Sequence, residues 1–288
     1  MKCYLCASRR IELVSGKLRY KAPQKACKCL NCGLVFLYPK MSRQQEKEFY
    51  EKEYGIVFSK EKGTTPEDLF NARQKDAKVY YGLTKKYIRK DQDCLEIGCA
   101  SGYFLNYIRN RVKSISGVES HSLLRKYCQK IGINTFDDIA NIKNMKFDVI
   151  FMFFVAEHLG DPKNYLKNLK KLLKKNGRVI IEVPNVEDAL LTLYDIPAFK
   201  QYYYTPAHPF YYSKKTLTLL LKKTGYRKFN IEYLQRYDLS NHMHWMMHGK
   251  PGGLGKFNGI FSEELNSYYK KDLVVSGKSD TLFAVISI

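Results

Sequence analysis

Residues 93–104 read DCLEIGCASGYF, and this stretch decides the fold. An apolar strand over Asp93–Ile97 delivers Glu96; Gly98, Ala100 and Gly102 then turn the chain into a helix running to Ile108. Small residues let a backbone approach a ligand closely, and the first turn of a helix offers N–H groups without internal partners. Such a turn suits a nucleotide or nucleoside. The pattern is acid-x-Gly-x-x-x-Gly, without the Gly-x-Gly-x-x-Gly of dinucleotide sites.

Strands and helices alternate outward from this turn. Ser114–Val118 reads as a strand closed by Glu119, 17 residues after Gly102. In a doubly wound sheet that position faces ribose hydroxyls, which a carboxylate can accept. Leu123–Ile131 reads as a helix and Phe147–Val155 as a strand. Asp161-Pro162 starts a helix with Tyr165, Leu169 and Leu172 at helical spacing, closed at Asn176-Gly177. Arg178–Val183 is a strand stopped by Pro184, and Ser213 caps a helix to Lys223. Phe229–Leu234 and Thr281–Ile288 read as a final antiparallel pair, with no helix-length apolar repeat between them. Short β-α-β units imply a parallel sheet covered on both faces.

In this order the motifs resemble those of class I S-adenosylmethionine-dependent methyltransferases. LEIGCASG is similar to their first motif and GVE to the second; FDVIFMFFVAEHLGDP and NGRVIIEVPN resemble the fourth and the strand after it. SDTLFAVISI is similar to their last antiparallel strand, so the resemblance covers about residues 80–288. It implies an α/β, Rossmann-like seven-stranded sheet with helices on both faces, over 91–288, with 238–279 inserted between the last two strands. It implies S-adenosyl-L-methionine as cofactor. Glu96 and the turn of Gly98, Cys99, Ala100, Ser101 and Gly102, followed by Tyr103 and Phe104, would hold the methionine portion. Glu119 and Ser120 would hold the ribose, and Phe136 or Asp137 would border the adenine. Phe154, Val155 and His158 would line the methyl-donor cleft. Cys99 reads as a small packing residue within the turn.

Five of the eight cysteines fall within the first 32 residues. Cys3-x-x-Cys6 and Cys29-x-x-Cys32 form two knuckle-like pairs with 22 residues between them. Four thiolates so spaced suit tetrahedral zinc in a structural site, and Cys27 adds a fifth candidate ligand. A 1–40 module this small has little core, so metal would supply much of its stability. CLNCGLVFLYP resembles the N-terminal zinc module, a small zinc ribbon, of some bacterial sugar methyltransferases, and more distantly that of zinc-bearing ribosomal RNA methyltransferases. Residues 41–90 read as a helical linker or lid, where Thr65-Pro66-Glu67-Asp68 is a strong helix start.

The acceptor side is marked by QYYYTPAHPFYYS, which sets His208 among tyrosines before the helix capped by Ser213. It resembles a His-Pro-x-x-Tyr segment of sugar and small-molecule methyltransferases, and His208 is the preferred general base. His158, in its Glu-His pair, is the rival. His244 and His248 could share a helix face and bind metal, and Trp245 would suit a sugar face.

With 45% hydrophobic residues the chain can bury a sizeable core. Its longest apolar run, Val149–Ala156, has eight residues, against the ~18 a membrane helix needs. MKCYLCASRR lacks the apolar stretch of a secretory signal, so a cytoplasmic location is expected. The net charge of +21 favours anionic partners. The expected reaction is methylation of a small molecule, preferably a hydroxyl of a nucleotide-linked, phosphorylated sugar or glycan precursor. An RNA methyltransferase is the alternative; EVPN lacks the second proline of an Asn/Asp-Pro-Pro-aromatic motif.

Overall fold

The structure is a computed structural model describing residues 1–42, 44, 45, 48 and 64–288. It opens with three short antiparallel strands: β1 (Ile11–Ser15), β2 (Lys25–Cys29) and β3 (Val35–Tyr38). Among the described residues that follow, 44, 45 and 48 are helical, and then come α1 (Pro66–Ala72) and α2 (Gln74–Thr84). The first begins as its sequence dictates: the Thr65 side chain accepts from the Asp68 amide and the Asp68 carboxylate accepts from the Thr65 amide. The remainder of the 41–90 linker expectation, at 43, 46, 47 and 49–63, lies outside the described residues.

The αβ alternation then runs β4 (Asp93–Ile97), α3 (Tyr103–Ile108), β5 (Ser114–Val118), α4 (Ser122–Lys130), β6 (Asn134–Phe136), β7 (Phe147–Phe153), α5 (Pro162–Lys171) and β8 (Leu173–Pro184). After it come α6 (Ala189–Thr192), α7 (Pro197–Tyr203), β9 (Phe210–Tyr211), α8 (Lys214–Lys223), β10 (Lys228–Leu234), α9 (Leu239–His248), α10 (Glu263–Val275) and β11 (Thr281–Ser287). Seven strands form one sheet in the order β10-β11-β8-β7-β4-β5-β6. Its pairs are parallel except at β10–β11 and β11–β8. This is the Rossmann-like methyltransferase fold that the motif order implies.

Both faces of the sheet are buried, which explains the continuous apolar strands. Ile97, Ile150, Met152 and Ile181 face Leu166 and Leu169 of α5 and Leu217, Leu220 and Leu221 of α8. Cys94, Val149, Phe151 and Phe153 face Tyr80 of α2 and Phe104, Leu105 and Ile108 of α3. Among the described residues no helix is long and apolar enough to cross a membrane.

Two local expectations are overturned. Helix α5 ends at Lys171 and β8 already starts at Leu173, with Asn176 at φ +64 inside that run, so Asn176-Gly177 does not close the helix. The segment between β10 and β11 holds two helices despite its missing apolar repeat. The reason is that α9 buries polar residues, namely Ser240, Asn241, His242 and His244 beside Trp245. Asp238 caps it by accepting from the Asn241 amide at 2.8 Å.

The small sheet has the order β1-β2-β3-β9, so its fourth strand comes from the larger domain. Val35 and Phe36 pair with Tyr211 and Phe210, and the Leu37 amide donates to the Pro209 carbonyl at 3.0 Å. Backbone pairing thus ties the cysteine-rich segment to the residues immediately after His208.

Candidate active site and cysteine cluster

The turn after β4 is held in shape by its glycines and by Glu119. Gly98, Ala100 and Gly102 all have positive φ, at +70°, +47° and +75°. A Cβ at Gly98 would sit 2.6 Å from Val155 Cγ2, and one at Gly102 2.6 Å from Ile133 Cδ1. Glu119 is 4% exposed, and its carboxylate accepts from the Ala100 amide at 3.0 Å and the His121 amide at 2.8 Å. The Ser120 hydroxyl adds a long contact at 3.5 Å; a carboxylate has about four lone-pair positions, so this one can still accept from a ligand hydroxyl, and from a second if Ser120 turns away. Glu96 lies beneath, 2% exposed, with one oxygen lacking a partner among the described residues. Burial, with Cys128 and Glu119 nearby, pushes its pKa well up; a cationic amine placed there would compensate the burial. The chemistry of the two buried carboxylates therefore suits a ligand with an ammonium group at one end and a ribose diol at the other.

The other predicted cofactor residues lie along the turn, in the core beneath it or at the neighbouring strand ends. Cys99 is buried, and a Cβ at Gly117 would lie 2.4 Å from its sulfur, so it packs inward. Ser101 is buried, Tyr103 half-buried, and Phe104 sits in the core against Phe151 and Phe153. Phe136 is half-buried, and its carbonyl accepts from the Glu119 amide at 2.9 Å. Asp137 is exposed and accepts from the Asn141 side chain at 2.6 Å; Ser120 is exposed. Phe154 has φ +56 and Val155 abuts Gly98, so the end of β7 borders the turn.

Beyond Val155 the short helix Ala156–His158 brings Glu157 and His158 against His208, with ligand atoms of the three within 4.8 Å of one another. The imidazoles of His158 and His208 pack edge to face at 4.5 Å. Both candidate bases from the sequence therefore meet in one place. Burial lowers the His158 pKa to about 4. Burial, then His158 and Arg19, push His208 well down, so both rings are neutral at pH 7. Glu157 is 1% exposed, and neither carboxylate oxygen meets a partner among the described residues. The buried Tyr212 hydroxyl and the Tyr203 hydroxyl also lack one.

Sequence reasoning missed the neighbouring polar knot at the ends of β8, β10 and β11. Glu182 is fully buried, 3.1 Å from Arg236 Nη1, and Asp280 accepts from the Arg236 and Tyr237 amides. Arg236 also lies over the rings of Tyr80 and Phe154, at 5.4 and 5.0 Å. Burial outweighs the ion pair and raises Glu182 to about 7. The signal was an acid inside the apolar strand VIIEVP. Trp245, expected to offer a sugar face, is instead buried against Phe199 at 4.9 Å and Tyr202 at 5.0 Å.

These groups set a pH dependence of stability. Glu157 titrates near 8 when folded and near 4.5 as an ordinary carboxyl, so between those values the folded chain binds the extra proton. Its contribution is full below 4.5 and is lost as pH rises to 8. His158 works oppositely: folded near 4 and ordinarily 6.5, it contributes fully above 6.5 and loses that as pH falls. From pH 6.5 to 8 Glu157 goes on losing its contribution, as does Glu182, which titrates near 7, so these two carboxyls are expected to lower the melting temperature across that range. Glu157→Gln should flatten that decline; an unchanged slope in the variant would remove Glu157 as its origin.

The cysteine pairs converge as well. Cys3 and Cys32 sulfurs are 3.5 Å apart, as are those of Cys6 and Cys29, and all four lie within 4.8 Å of one another. Tetrahedral zinc with ~2.3 Å Zn–S bonds separates its sulfurs by about 3.8 Å, so these four fit such an ion. Cys27, two residues before Cys29 on β2, lies outside the group. His244 and His248 do meet on α9, their rings tilted with centroids 4.6 Å apart, but no third ligand joins them among the described residues.

A family model for a methyltransferase domain matches residues 71–230, more than half of the chain. A tRNA U34 carboxymethyltransferase of Campylobacter jejuni is 28% identical over 189 residues, covering 60% of this chain and 62% of the relative. The chain thus matches less than two thirds of that relative's length. An uncharacterized protein of Methanocaldococcus jannaschii is 26% identical over 50% of this chain and 68% of its own. Among solved structures, an S-adenosylmethionine-dependent methyltransferase from Archaeoglobus fulgidus superposes with TM-score 0.52 at 17% identity, over 77% of this chain and 97% of its own.

Proposed function

Since the chain belongs to the methyltransferase-domain family, and is an enzyme that uses S-adenosylmethionine, we propose that it methylates a hydroxyl of a small polyhydroxylated acceptor such as a nucleotide-linked sugar. The observation that supports this is the set of unmet polar groups around His158 and His208. Glu157, beside two neutral imidazoles, and Tyr203 and Tyr212, near enough to feel its charge, all present buried oxygens without partners among the described residues. Buried polar groups are ordinarily satisfied, and an acceptor carrying several hydroxyls would satisfy these.

S-adenosylmethionine, when bound, supplies the methyl group as a sulfonium-activated electrophile. The chain must then align the acceptor, exclude water and remove one proton. Glu96 and the 98–102 turn would bind the methionine portion, Glu119 the ribose, and Phe136 and Asp137 would edge the adenine. His208 would take the hydroxyl proton at a ring nitrogen; its depressed pKa keeps that nitrogen free to accept at neutral pH. His158 would orient it from the side. Cys3, Cys6, Cys29 and Cys32 would hold a structural zinc ion, making residues 1–40 a metal-stabilised wall of the acceptor side.

The tRNA-modifying relatives favour a second reading, transfer to RNA. Radiolabelled methyl transfer to sugar nucleotides and to total RNA separates the two. Label in a methyl ether of a sugar supports the proposal; label confined to RNA overturns it. With the accepted substrate, His208→Ala should lower turnover ~100-fold, the usual size of a lost acid-base group, while cofactor binding holds. Near-normal turnover would remove His208 from the role.

A further inference from the structure

Charge is not spread evenly along this chain. Residues 1–40 hold nine Lys and Arg and one acid, a net +8 of the total +21 in 40 of 288 residues. All nine cations are exposed. A divalent ion bound by four thiolates subtracts from this excess without cancelling it. One of these cations reaches the acceptor side. Arg19 follows β1, and its amide donates to the Tyr204 carbonyl at 2.7 Å, pinning the loop to the end of α7. Its guanidinium lies 4.1 Å from the Tyr202 ring centroid, in stacking range. It has no acidic partner among the described residues. Tyr204 packs on Tyr211 at 4.9 Å, and Tyr211 lies 5.8 Å from His208. The guanidinium is close enough for its charge to help keep His208 neutral.

An arginine braced by an aromatic ring and left without a carboxylate is pre-organised for an oxyanion, because its planar fork matches a phosphate. We propose that Arg19 of the N-terminal module recognises a phosphate group of the acceptor, holding it so that the acceptor hydroxyl points at His208. This rests on the small-acceptor reading and deepens it: the acceptor belongs to the phosphorylated sugars, and the cysteine-rich module supplies part of its site. The tie between β3 and β9 places the module so that it can do so.

Inorganic pyrophosphate serves as the probe, titrated calorimetrically into protein loaded with S-adenosylhomocysteine. The wild type should bind it at one site. Arg19→Ala should weaken this at least ~10-fold, the scale of a lost charge-assisted contact. Arg19→Lys, which keeps the charge and loses the fork, should recover only part. Arg9→Ala, also in the module, should change nothing. Retained S-adenosylhomocysteine binding shows that each variant is folded. Equal pyrophosphate affinity in Arg19→Ala and wild type, or no binding to wild type, overturns the proposal. So does an equal loss in Arg9→Ala, or tight, steeply salt-dependent binding of a short RNA weakened alike by both variants; the module would then be a diffuse RNA-binding surface. Failure of the small-acceptor reading shows separately, as label entering RNA alone.

Discussion

Glu119→Ala is expected to weaken S-adenosylhomocysteine binding by ~100–1,000-fold, the cost of losing two or more charge-assisted hydrogen bonds. Two effects act together. The carboxylate would no longer accept from the ribose hydroxyls. It would also cease to hold the Ala100 and His121 amides, at 3.0 and 2.8 Å, which fix the turn around positive-φ Ala100. Glu119→Gln keeps one acceptor oxygen and should lose less. Calorimetry reads the affinity and the melting curve checks the fold. A Glu119→Ala protein that binds within threefold of wild type would show that the ligand does not sit at the end of β5.

How much of this was legible in the sequence depends on which atoms carried the information. The turn was legible because its backbone demands are written in residue types: Gly98 and Gly102 need room and left-handed φ, and Glu96 and Glu119 end neighbouring strands. Helix starts were legible for the same reason, since Thr65, Asp161 and Ser213 each cap the first turn that follows. The β10–β11 helices were not, because α9 hides Asn241, His242 and His244 on its inner face, where periodicity methods look for apolar side chains. The pairing of β3 with Phe210–Tyr211 was equally hidden. Two residues of strand far along the chain leave no pattern, although they join the module to His208. His158 and His208 could each be picked out, but only the fold shows them in edge-to-face contact.

Removing metal, or replacing Cys29 with Ser, is expected to have a larger effect than any change to an acid-base group, and to reach beyond the module. Cys3, Cys29 and Cys32 are buried with Leu5, Leu34 and Phe36 on one side of the module, while Leu18, Ala26, Val35 and Leu37 form only a small apolar cluster that leans on Tyr204 and Tyr211. Structural zinc binding contributes roughly 10 kcal/mol or more to the folding of such small modules, so without it β1, β2 and β3 should come apart. The loss then passes along hydrogen bonds already described, from β3 to Pro209, Phe210 and Tyr211, and so to His208. Cofactor affinity depends on β4 and β5 and should change little. The expected signature is therefore split: about one zinc per chain in the native protein, and a melting temperature lowered by ~10 °C or more after chelation. Turnover should fall far more steeply than S-adenosylhomocysteine affinity. Cys27→Ser, outside the sulfur group, should keep its zinc. A metal-free protein with unchanged melting and turnover would mean that the four thiols pack without an ion and that the module's order does not support the acceptor side.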